Sequence, residues 1–121
     1  MSAENFRPST VSLEDNLKKA LTELLVLHLL SQRDYFIGEL SETLKQKSNG
    51  VLKLVFPYSA IYRLQQIGYI TDSDKRIAPD GRKRQFFSIS QQGRIHYKEL
   101  LKTYHRFISG VNTVLTEDDA Q

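Results

Sequence analysis

The sequence contains no cysteine and no tryptophan. Without a thiol there is no disulfide, no thiolate metal site and no cysteine nucleophile, a composition that fits a reducing cytoplasm. Long apolar runs are missing as well. The longest, Ala20 to Leu30, is interrupted by Thr22, Glu23 and His28, which makes it too short and too polar to span a membrane. Met1 to Asp15 carries no apolar signal core. There is no internal repeat, phosphate-cradling glycine loop or nucleophile elbow. His28, His96 and His105 lack metal-like spacing and have no obvious carboxylate partner, so they read as structural or surface histidines. These absences leave no candidate enzyme machinery, and no metal or cofactor is implied.

The 121 residues suit one domain, with a core that removes about two-thirds of the unfolded chain's surface from water. A hydrophobic fraction of 40% and a charged fraction of 26% are those of an ordinary globular protein. The net charge of +3 is unevenly placed: residues 57–106 hold ten Lys/Arg against four Asp/Glu, and the first 56 hold seven of each sign. Glu117-Asp118-Asp119 then takes back three charges. A concentrated basic half points towards nucleic acid.

Residues 1–11 are polar and are expected to form a loose arm. Ser12, with Asp15 three residues on, offers a capping box for a first helix over about Leu13 to Ser31, carried by Leu17, Leu21, Leu24, Leu25, Leu27 and Leu30. Its apolar surface widens towards the C-terminal half, which predicts that this half is buried. A second amphipathic helix is expected from about Ile37 to Lys47, ended by Ser48-Asn49-Gly50 and followed by an apolar link, Val51 to Phe56. Pro57 suits the first position of a third helix that reaches Ile67 and stops at Gly68. Two β-prone runs, Tyr69 to Asp72 and Gln85 to Ile89, read as a hairpin whose tip, Lys75 to Arg84, carries five cations and one acid, Asp80. Ser90 can cap a last helix from Gln91 to about Leu115, about 37 Å long at 1.5 Å per residue.

Three helices, a hairpin and a long helix describe a mainly α fold with a small two-stranded β-wing, a winged helix-turn-helix. The segments are an arm (1–11), a winged-helix domain (12–90), a dimerisation helix (91–115) and an acidic tail (116–121). On the third helix Ala60, Ile61, Leu64 and Ile67 form an apolar stripe, and Ser59, Tyr62, Arg63 and Gln66 form the opposite one. All four of the latter can hydrogen-bond and none is acidic. Arg63 can pair with guanine or clamp a phosphate, and Gln66 can read adenine. Tyr58 and Ser59, near the helix N-terminus, suit phosphate. In the wing, Lys75, Arg76, Arg82, Lys83 and Arg84 are candidate phosphate contacts, with one arginine free to enter a minor groove. A polar helix face and a charged hairpin tip also occur on surfaces that bind nothing; together they favour double-stranded DNA.

Three segments carry a family resemblance: Leu24 to Leu30; Tyr58-Ser59-Ala60-Ile61-Tyr62-Arg63-Leu64 through Ile70; and Arg84 to Ser90 with Gln91-Gln92-Gly93-Arg94. In this order and spacing the chain resembles the PadR-type winged-helix transcriptional regulators, from about Leu17 to Leu115. The resemblance implies a dimeric bacterial repressor whose C-terminal helix packs on the partner's first helix, in the manner of the short members. It also implies an interface cavity for flat, apolar effectors, which Tyr104 and Phe107 could line. The pattern departs in three places. The family's Tyr-Gly-Tyr at helix two is Phe36-Ile37-Gly38, the proline expected after the recognition-helix tyrosine is Ser59, and one of a basic pair is Tyr62.

The last helix supports assembly independently. Tyr97, Leu100, Tyr104, Phe107, Val111 and Val114 follow heptad spacing, with Leu101, Ile108 and Leu115 widening the stripe. A small domain has little to cover so long an apolar surface, and a symmetric homodimer solves this. Leu13, Leu17, Tyr97, Leu100, Tyr104, Phe107, Ile108 and Val111 are its candidate interface. The rival readings are a winged-helix module that binds protein and a DNA-architecture protein without a fixed operator.

Overall fold

The computed structural model of the chain describes residues 9–53 and 58–117. The Pro57 helix start, the link from Leu54 to Phe56, most of the N-terminal arm and Asp118-Asp119 lie outside the described residues. The element order is α1 (Ser9–Gln32), β1 (Tyr35–Phe36), α2 (Ile37–Lys47), α3 (Tyr58–Ile67), β2 (Ile70–Ile77), β3 (Lys83–Ile89) and α4 (Gln91–Leu115).

Helix α1 begins three residues before the expected capping site. Ser12 lies inside the first turn instead of capping it, so the arm does not extend to residue 11. Extending an existing helix gains one hydrogen bond per residue fixed, which outweighs the weak local preference of a serine. Leu24, Val26, Leu27, Leu29 and Leu30 are buried, and Val11, Leu13 and Leu17 on the N-terminal half are exposed. The buried half of α1 meets Leu40 and Leu44 of α2, Ile61 and Leu64 of α3, and Ile70 and Ile89 of the wing in one core.

Helix α2 ends as its sequence requires. Asn49 (φ 55°) and Gly50 (φ 85°) adopt left-handed backbone, and the Gly50 N–H returns to Lys45 O at 2.8 Å. At its start only the return half of a capping box exists: Glu39 Oε1 accepts from the Phe36 N–H at 3.3 Å, and the Phe36 ring has no acceptor to offer. Helix α3 stops at Gly68 (φ 96°), where the Tyr69 N–H reaches back to Leu64 O at 2.9 Å.

The sheet has three strands, in the order β1-β3-β2, not the two expected. The added strand is two residues long, with Tyr35 opposite Phe87 and Phe36 opposite Phe86. So short a segment has no periodicity to read, and burial of the Tyr35 ring holds it against β3. The hairpin is also longer than the two β-prone runs. Arg76 pairs with Arg84 and Ile77 with Lys83, so most of the charged tip is itself strand. One extra β2 residue between Asp72 and Lys75 makes a bulge, and Gln85 Nε2 donates to the bulged Ser73 carbonyl at 3.0 Å.

Helix α4 starts on a double contact. Ser90 Oγ accepts from the Gly93 N–H at 2.9 Å, and its hydroxyl donates to Gly68 O at 2.6 Å. One residue thereby caps α4 and fastens it to the end of α3. Further along, His28 Nδ1 and the Tyr97 hydroxyl are hydrogen-bonded at 2.6 Å, which joins α1 to α4.

Candidate nucleic-acid interface

Two apolar anchors orient α3. Ile61 and Leu64 are fully buried against α1 and β2, so the helix can face outward only with the side that carries Ser59, Tyr62, Arg63 and Gln66. All four are exposed, as is Tyr58. Ile67 is not part of the buried stripe; it is 51% exposed, because the last residue before the Gly68 turn projects past the core. Gln65, which pattern reading passed over, donates through Nε2 to Asp72 Oδ1 at 2.7 Å and ties α3 to the base of the wing.

The five cations of the wing divide into two groups. Arg76 is held by Asp34 (Nη2 to Oδ2, 2.7 Å) and Asp74 (Nε to Oδ1, 2.7 Å), with its guanidinium 4.6 Å from the centre of the Phe86 ring. Arg84 is held by Asp80 at 2.7 Å. These two side chains fix the shape of the wing. Lys75, Arg82 and Lys83 are exposed and make no side-chain ion pair among the described residues. The turn that presents them closes with Gly81 (φ 83°), and its N–H donates to Ala78 O at 2.9 Å.

Asp34 is the anchor of this arrangement and carried no sequence signal. Its Oδ1 accepts from the Ser88 hydroxyl at 2.7 Å, and its Oδ2 accepts from Ser73 at 2.9 Å and from Arg76. A single carboxylate between α1 and β1 therefore grips both strands of the wing. Burial pushes the Asp34 carboxyl up, but the hydrogen bonds from Ser88, Ser73 and Arg76 outweigh it and hold the group below its ordinary 3.8. A carboxylate depressed in the fold contributes stability above its unfolded value and loses it as pH falls through the folded one. Denaturant unfolding from neutrality to below about pH 4 should therefore show an acid loss of stability that is shallower for Asp34→Asn than for the wild type. Parallel acid limbs would remove Asp34 from this role.

A cleft of 380 Å³ lies between the start of α2, α3 and β3, lined by Phe36, Gly38, Tyr58, Tyr62, Arg84 and Phe87 among others. Where the resemblance expects a hydroxyl at the start of helix two, the Phe36 ring packs edge-on against Phe86, with centroids 5.4 Å apart.

On the other side of the molecule, the candidate assembly residues do not share one environment. Tyr97 and Leu100 pack against the core of their own chain, and Tyr104 and Ile108 are half-buried beside α1. Leu13, Leu17, Phe107 and Val111 are exposed, Phe107 by 68%. A 290 Å³ groove between α1 and α4 is lined by Leu17, Leu21, Leu24, Tyr104, Phe107 and Ile108. Among the described residues there is no group of three or more potential metal ligands and no helix long and apolar enough to cross a membrane. One histidine does have a carboxylate partner that sequence position concealed: His96 Nε2 lies 2.6 Å from Glu23 Oε1.

No family model and no curated protein sequence matches the chain. Solved structures do. A PadR-like transcriptional regulator from Bacillus cereus superposes with a TM-score of 0.70 over 83% of this chain and 96% of its own, at 22% identity. A transcriptional regulator from Streptococcus gives 0.68 over 81% and 95%, at 23% identity. A PadR-like transcription factor from Bacteroides fragilis gives 0.63 over 85% and 98%, at 17% identity. The chain shares the winged-helix fold of these structures. In that fold, α2 and α3 are the helix-turn-helix, β2 and β3 the wing, and α4 the long C-terminal helix that follows it.

Proposed function

We propose that this PadR-like chain is a DNA-binding transcriptional regulator and not an enzyme: a homodimeric repressor that acts in the cytoplasm on a near-palindromic operator. The observation that carries this reading is the outward face of α3. Ser59, Tyr62, Arg63 and Gln66 are exposed together and α3 itself contributes no acid to that face, beside a wing whose exposed tip holds Lys75, Arg82 and Lys83. The names of the structural neighbours, transcriptional regulators of PadR type, support the same reading.

Assembly is argued from what one chain leaves uncovered. Leu13, Leu17, Phe107, Val111, Val114 and Leu115 are exposed on α1 and α4, Leu17 and Phe107 of them lining the apolar groove, and a second copy related by a two-fold axis would cover them. Such a dimer can present its two recognition helices about 34 Å apart, one turn of DNA. The interface groove beside Tyr104 and Phe107 would take a flat aromatic effector. Its test is a change in operator affinity on titration with aromatic compounds.

The experiment is selection of a duplex by the wild-type protein from a random-sequence pool, followed by binding to that duplex and to random DNA. A selected, two-fold-related site is expected. Arg63→Ala and Gln66→Ala should each lower discrimination by about 1–3 kcal/mol at one base pair per half-site. An equal loss on selected and random DNA would remove α3 as the recognition element. Tight binding with steep salt dependence and no selected site would favour the architectural alternative, and no binding to any duplex would favour a protein-binding module. Sedimentation should show a dimer at micromolar concentration; a stable monomer would refute the assembly.

A further inference from the structure

Three helices meet at one carboxylate. Glu23, midway along α1, accepts from His96 Nε2 on α4 at 2.6 Å, and its other oxygen lies 3.7 Å from Arg63 Nη2 on α3. A carboxylate only accepts, so in this contact Nε2 of His96 carries the hydrogen. The His96 ring is itself fixed, stacked on Tyr69 with centroids 4.2 Å apart and planes 12° apart. Glu23 therefore has one oxygen held by a clamped ring and the other directed at the arginine of the recognition face.

For stability this second contact is of little use. The Arg63 side chain is 63% exposed, and ion pairs of that kind contribute almost nothing to folding. For a surface that meets phosphates, an acid at this place weakens binding to every sequence. Its benefit lies in aim. A guanidinium is a planar fork with five donors, so one edge can remain on Glu23 while the other presents two parallel N–H groups to a base edge. Without the carboxylate, the flexible arm pairs with whichever phosphate is near.

We propose that Glu23, held by His96, is a positioning residue for Arg63 that exchanges general DNA affinity for discrimination at one base pair. The inference rests on α3 being the recognition helix, and the experiment separates the two. It uses the full-length protein, the duplex selected by the wild type, the same duplex with each base pair substituted in turn, and a random duplex. Arg63→Ala should abolish discrimination at one base pair per half-site. Glu23→Gln, close in shape, should lower discrimination at that same pair by about fivefold while binding random DNA as tightly as the wild type or more so. In the Arg63→Ala background, Glu23→Gln should change nothing at that pair. His96→Phe keeps a ring on Tyr69 and removes the hydrogen bond, and should reproduce the loss. Full discrimination in Glu23→Gln, or a loss of equal size with and without Arg63, overturns the positioning role and leaves α3 as the recognition element. Unchanged discrimination in Arg63→Ala overturns the positioning role, and unchanged discrimination in Gln66→Ala as well overturns α3 as the recognition element.

Discussion

Gly93→Ala is expected to destabilise the protein by about 3 kcal/mol, although alanine is the better helix former. In the first turn of α4 a glycine costs the helix about 1 kcal/mol relative to alanine, so propensity alone predicts a gain. Packing reverses the sign. A Cβ at this position would lie 2.1 Å from the backbone oxygen of Tyr69 and 2.8 Å from Ile89 Cγ1. The Tyr69 carbonyl cannot retreat cheaply, because it accepts the Ser90 N–H at 3.0 Å and follows directly on the Gly68 turn that ends α3. Either α4 lifts from the wing or the Ser90 cap opens. Thermal unfolding should show a midpoint lower by about 10 °C, at roughly 4 °C per kcal/mol for a chain of this size. Gly110, farther along α4, is open: beyond its chain neighbours and the backbone of its own helix, a Cβ there would meet no atom of the described residues within 4 Å. Gly110→Ala should therefore gain about 1 kcal/mol, and a loss there would locate Gly110 in the proposed two-fold contact. A neutral Gly93→Ala would show that the close approach of α4 to Tyr69 is not required.

Most of the fold was legible in the sequence because its signals are local. The apolar spacing from Ile37 to Leu44 and the Asn49-Gly50 terminator lie within a few residues of the helix they define, and α2 has the bounds read from them. Ser90 and the stripe after it placed α4 in the same way. The parts that escaped depend on partners far along the chain. Tyr35 and Phe36 form a strand only because Phe86 and Phe87 are there to pair with them. Asp34 reaches Ser73, Arg76 and Ser88, and Glu23 reaches Arg63 and His96, across intervals that no periodicity covers. Counting charge found the basic wing but not its division. A sequence gives the sign of Arg76 and Arg84 and not the aspartates that occupy them, so the exposed positive tip is smaller than composition suggests.

That division sets the expected behaviour of the wing on DNA. Arg82→Ala combined with Lys83→Ala should flatten the dependence of log affinity on log salt by about four units, since each phosphate contact contributes about 0.9 and the proposed dimer loses four of them. At physiological salt this corresponds to a loss of about a thousandfold in affinity, nearly equal for selected and random duplexes. Arg76→Ala, which removes one positive charge per chain where the tip variant removes two, should behave differently. Its guanidinium is already engaged by Asp34 and Asp74, so few counterions are released through it, and its loss leaves the Asp34 carboxylate short of a donor. The change should appear first as lower stability, with a salt slope close to that of the wild type. Measurement of both slopes on one duplex decides the matter. Flattening by about two units in Arg76→Ala would mean that Arg76 leaves its aspartates to meet DNA, and no flattening by the tip variant would mean that the wing does not touch phosphate.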